Sequence, residues 1–105
     1  MNAEVDVRPS PIAGSWYPAE PQRLADSVDG YLAEASKNLP EITGEVIALM
    51  VPHAGHRYSG AVAAHAFAAV RDSRPEIVAV VSPMHYPYTG GLLTSAHDAY
   101  ETPLG

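Results

Sequence analysis

The sequence predicts an α/β fold, and three stretches carry that reading. Val46–Val51 is an unbroken apolar run, the pattern of a strand buried on both faces in a helix-covered parallel sheet. Ile77–Val81 repeats the pattern. Between them the period changes: Val62, Ala66 and Val70 recur every fourth position, with Ala63 and Phe67 beside them, as on a buried helix face. Strand, helix, strand with these link lengths makes a βαβ unit with a right-handed crossover. The expected architecture is three layers, α/β/α, on a largely parallel central sheet that is incomplete at 105 residues.

The remaining elements follow in chain order. Residues 1–11 are polar, contain Pro9 and Pro11, and read as an extended arm. Ile12–Pro18 is a short aromatic segment punctuated by Gly14 and Pro18, and it holds the lone tryptophan, Trp16. Trp16 is expected to plug one end of the core; the competing reading is a pocket wall with a polar tip exposed. Pro21 suits the first position of a helix, where its missing donor costs nothing. Leu24, Val28, Tyr31, Leu32 and Ala35 then share one helical face. Ser59 is the expected N-cap of the helix from Gly60 to Val70. Leu92-Leu93 reads as a strand or bend, and the segment from Ala96 to Gly105 as a loop.

Composition narrows the function classes. Hydrophobic residues make up 47% and charged residues 17%, which is globular. A net charge of −6 without a basic cluster argues against nucleic acid as a partner. No cysteine is present, so neither a disulfide framework nor a thiolate ligand is available. The longest apolar runs fall far short of the roughly 20 residues a spanning helix needs, and no basic-then-apolar leader opens the chain. A cytoplasmic protein without membrane contact is expected. An unfinished sheet edge makes self-association an expectation as well.

The chemistry-bearing residues sit where α/β proteins place their sites, just beyond the carboxyl ends of strands. His53 follows the first apolar run and His85 the second. Adjacent strands are about 4.8 Å apart, so imidazoles at neighbouring strand ends can converge on one ion. Neutral imidazole suits iron, copper and zinc. His65 and His97 are expected to be structural or exposed. The turn from Gly55 to Gly60, with Arg57, is able to meet an anion, but it lacks the Lys and Ser/Thr of a nucleotide-binding loop. A serine hydrolase is disfavoured, because no Gly-x-Ser-x-Gly elbow occurs.

Four stretches resemble a known family. Ala13-Gly-Ser-Trp-Tyr-Pro18, Pro52-His-Ala-Gly-His-Arg-Tyr-Ser-Gly60, Ser82-Pro-Met-His85 and Tyr100-Glu-Thr-Pro-Leu-Gly105 are similar, in order and spacing, to motifs of the Memo family. Its prokaryotic members are called AmmeMemoRadiSam system protein B. The resemblance runs from about Arg8 to Gly105 and makes residues 1–105 the N-terminal portion of a single Memo-like domain. It implies a sandwich similar to class III extradiol dioxygenases, which use non-haem iron. His53 and His85 match the family's two metal-binding histidines, and Trp16 and Tyr58 match pocket residues. The implied cofactor is an iron or copper ion. The family's third ligand is a cysteine in its C-terminal part, which this chain lacks. His56 stands where an aromatic residue is usual, Met84 replaces a serine, and Tyr86 replaces a frequent second histidine.

Three functions follow from these readings. One is a dioxygenase-like oxidoreductase, inactive as this chain alone for want of the third ligand. Another is a binding module that uses the same pocket for a metal ion, small molecule or peptide. The third is an inactive truncated fragment.

Overall fold

Helix formation in this chain begins at a carboxylate. In the computed structural model, which describes residues 3–105, the Glu20 side chain accepts the Gln22 and Arg23 backbone N–H groups at 2.9 and 2.8 Å. Those donors have no partner inside a helix, and the negative charge suits the positive end of the helix dipole. Pro21 follows as the first residue of α1, Pro21–Ser36. On the face read from the sequence, Leu24 and Ala35 are buried and Val28, Tyr31 and Leu32 are half-buried. Lys37 caps the far end and pairs with Glu34 at 2.6 Å, which holds the Glu34 carboxyl below its usual range. Both side chains of that pair are solvent-exposed, so its contribution to stability is small.

The second helix, α2, spans His56–Ala69 and starts a turn earlier than Ser59 as N-cap would place it. The reason is tertiary. The Trp16 carbonyl accepts the His56 N–H at 2.9 Å, so Gly55 becomes the N-cap. Ser59 is then buried inside the helix, and its hydroxyl donates to the Ala54 carbonyl at 2.9 Å. The packed stripe also differs from the expected one. Ala64 and Ala68 are buried with Ala35 of α1, whereas Val62 and Phe67 are 62% and 50% exposed. Small side chains let the two helices approach closely, and Tyr31, Leu32 and Leu39 close over the seam.

Two short strands form a parallel pair: β1, Val7–Arg8, and β2, Ala99–Tyr100. Val7 lies opposite Ala99 and Arg8 opposite Tyr100. Asp6 fixes the junction. Its carbonyl accepts from Asp98 and Ala99, its N–H donates to the Asp98 carboxylate, and its own carboxylate meets His97 at 3.1 Å. The Arg8 guanidinium lies 5.5 Å from the Tyr100 ring centroid. The Ser95 hydroxyl, and after it Arg8, hold the Tyr100 phenol below its ordinary range.

The chain is thus α/β, with two helices and a two-stranded parallel sheet, but the strands are not those expected. Val46–Val51 and Ile77–Val81 carry no ladder, whereas the arm and the C-terminal loop do. A strand apolar on both faces needs cover on both faces, and among the described residues none is supplied: Ile47, Met50 and Val80 are 92%, 96% and 87% exposed. Each such side chain gains about 1.5–3 kcal/mol on full burial. We therefore expect size-exclusion chromatography to show self-association that rises with concentration and falls in Val80→Lys. A monodisperse monomer in both would show that this surface is not sticky. Among the described residues no helix is long and apolar enough to cross a membrane.

Candidate metal and ligand site

His53 lies in the loop that enters α2, and His85 in the loop after Ile77–Val81. Their ring centroids are 5.3 Å apart at an interplanar angle of 46°. A metal–nitrogen bond of about 2.0–2.1 Å places the centroids of two neighbouring imidazole ligands roughly 4.5–5.5 Å apart. The observed separation falls in that range, and it also suits direct ring-to-ring contact.

The other three histidines are engaged. His56 Nε2 is 2.8 Å from the Ser27 hydroxyl, and its ring stands 5.0 Å from Tyr31, so it ties α2 to α1. His65 Nδ1 is 3.0 Å from the Ala61 carbonyl one turn back on its own helix. His97 meets Asp6. Among the described residues, His53 and His85 are the histidines whose nitrogens have no hydrogen-bond partner. No third His, Cys, Asp or Glu among the described residues joins them in a ligand cluster.

A cavity of about 400 Å³ is lined by Ser15, Trp16, Ala54, Gly55, Arg57 and Tyr58, and His53 directly precedes Ala54 in the chain. Two local features build it. Gly14 has a φ of +88°, which an L side chain rarely adopts, and the tight turn around it returns the Gly14 N–H to the Tyr17 carbonyl at 2.7 Å. That turn projects Trp16, and the Trp16–His56 backbone bond docks it against the start of α2. Trp16 is 52% exposed and does not plug the core, which is built from Leu24 and the alanine seam. Tyr58 is 81% exposed on the first turn of α2. Trp16 and Tyr58 therefore share one cavity wall.

Two participants escaped the sequence reading. Ser27 pairs with His56 across 29 residues, and no local pattern marks it. Glu20 as a cap was legible in principle, as an acidic residue directly before a first-turn proline.

Comparison with known proteins agrees with the motifs. The family model described as "Memo-like protein" matches residues 8–105. Over 104 residues the chain is 35% identical to "Protein MEMO1" of Danio rerio, covering 99% of this chain and 34% of that protein. It is 32% identical to a "MEMO1 family protein" of Pyrobaculum arsenaticum, covering 94% and 37%. It is 33% identical to "MEMO1 family protein MHO1" of Saccharomyces cerevisiae, covering 96% and 30%. The chain thus spans about a third of the length of the curated relatives it matches. No solved structure matches it. With a family match over nearly all its length and relatives of this identity from vertebrate, yeast and archaeon, the chain belongs to the Memo family.

Proposed function

We propose that His53 and His85 are two imidazole ligands of a metal centre that takes an iron or copper ion. The supporting observation is their isolation as a pair: two histidines without other partners, 5.3 Å apart, at the mouth of α2. The donor set fits such an ion in part. Two neutral nitrogens suit first-row metals but leave several positions open. In class III extradiol dioxygenases, which the Memo fold resembles, a non-haem iron supplies the Lewis-acidic centre for opening aromatic rings. This chain's residues hold the ion's nitrogen side, and the residues that follow His53 line a cavity. The three-layer sandwich belongs to the same proposal: within a domain about three times this length, Val46–Val51 and Ile77–Val81 gain the cover they lack here.

On its own the chain is a binder rather than a catalyst under this reading. Two neutral nitrogen ligands favour Cu(II) over Fe(II) by the usual affinity order. Calorimetric titration with Cu(II) is expected to give one site per chain. Binding should weaken in acid, because protons compete with the ion for imidazole nitrogen. Stoichiometric binding that ignores pH would place the ion elsewhere. A second reading, a ligand-binding module, is favoured by the Trp16–Tyr58 cavity.

A further inference from the structure

We propose that the parallel pair β1–β2 is an acid-tightened clasp, in which protonation of His97 against the Asp6 carboxylate locks the N-terminal arm onto the segment ending at Tyr100. The proposal does not involve His53 or His85 and needs no bound metal or ligand.

Charge shapes this junction as much as the ladder does. The Asp6 carbonyl accepts from the Asp98 and Ala99 N–H groups at 2.9 and 3.3 Å, and the Arg8 carbonyl accepts from Glu101 at 2.9 Å. Two carboxylates serve the same junction. That of Asp98 accepts the Asp6 N–H at 2.9 Å, and that of Asp6 lies 3.1 Å from His97 Nδ1. On a chain of net charge −6, such a gathering of negative charge opposes closure unless a cation offsets it.

His97 is the group able to do so. Arg8, one register position on, lies over the Tyr100 ring, 5.5 Å from its centroid. The ion pairs among the described residues are Lys37–Glu34 and His97–Asp6, so no other cation reaches Asp6 or Asp98. The charged and titratable groups around His97 are thus Asp6 and Arg8 on the arm, with Asp98 and Tyr100 on its own segment. The Ser95 hydroxyl anchors that segment by accepting the His97 N–H at 3.1 Å. Neither helix adds a group, because among the described residues the strand pair packs against neither α1 nor α2.

The direction of the response follows from these charges. A neutral imidazole offers Asp6 an uncharged donor; with a second proton the ring is a cation, and the same contact becomes an ion pair. Only the closed clasp holds the two groups together, so the attraction favours closure in mild acid. In stronger acid the Asp6 and Asp98 carboxylates lose their charge, and the clasp loosens again. An isolated two-stranded pairing is marginal in water, so a single charge contact shifts it.

Amide hydrogen exchange read by NMR tests the clasp, with each rate divided by the unstructured rate at the same pH and a chelator present. The Ala99 and Glu101 amides report on the strand pair, and those of Leu32 and Ala64 on the helix seam. Protection at Ala99 and Glu101 should rise about two- to fivefold from mild alkali to mild acid, the modest worth of an exposed ion pair. It should fall again in stronger acid. Salt at about 1 M, where the screening length is about 3 Å, should shrink the rise. His97→Gln keeps a donor but gains no charge, and Asp6→Asn keeps an acceptor without charge; each should flatten the profile. His65→Gln, on α2, should leave it intact. The helix amides in the same spectra show that each variant is folded. A flat profile in the parent, a rise that survives His97→Gln or Asp6→Asn, or no protection at Ala99 and Glu101 at any pH would overturn the proposal.

Discussion

Replacing His53 by alanine is expected to weaken Cu(II) binding at least about 100-fold, and His85→Ala should do the same. The size follows from how few ligands there are. Loss of a supporting partner around a metal ligand already costs about 10–100-fold, and here half of the donor set disappears. A lone imidazole must compete with water for the ion, whereas two rings 5.3 Å apart can chelate it together. His65→Ala and His97→Ala serve as controls, since those rings are engaged with the Ala61 carbonyl and the Asp6 carboxylate. His56→Ala should behave differently again. It removes the 2.8 Å bond to Ser27 and the contact with Tyr31, so its effect should fall on stability and spare metal affinity. Calorimetry on the five single variants separates these outcomes. If the His53 and His85 variants bind copper as tightly as the parent, the pair is an aromatic contact and no more.

Gly60→Ala should destabilise the chain by about 1–3 kcal/mol, the usual cost of overpacking. That sign is opposite to the ordinary one, since alanine in a helix is favoured over glycine by about 1 kcal/mol. The reason is the approach of α1. A Cβ at Gly60 would lie 2.9 Å from Tyr31 Cε2, closer than real Cβ atoms are found, and 3.1 Å from His56 Nδ1, tighter than most real contacts. Neither ring can yield freely, because Tyr31 packs against the alanine seam and His56 is held by Ser27. Gly30→Ala in α1 is the matched control. Nothing lies within 4 Å of a Cβ there, so the variant should gain roughly 0.5–1 kcal/mol. Urea unfolding followed by helical circular dichroism measures both. An increase in midpoint for Gly60→Ala would mean that the helices are not in close contact at that point.

Elements whose causes are local were legible in the order of residues. Pro21 at a helix start and the Leu24, Val28, Tyr31, Leu32, Ala35 face define α1, because helix periodicity and proline's missing donor act within a few residues. The family was legible for a similar reason: the motifs around Trp16, His53, His85 and Tyr100 are contiguous strings. The placement of His53 and His85 beyond two apolar runs suggested proximity, and the rings do lie together, although neither run carries a ladder. Contacts between distant segments decided the rest. α2 begins at His56 because the carbonyl of Trp16, 40 residues earlier, takes its N–H. The face of α2 that packs is the alanine face, because close helix approach selects small side chains over the larger Val62 and Phe67. The parallel pair joins Val7–Arg8 to Ala99–Tyr100, near opposite ends of the sequence, which no local pattern can specify. Apolar runs announce that burial is favourable; whether a ladder forms depends on cover from elsewhere, and cover is a property of the tertiary structure alone.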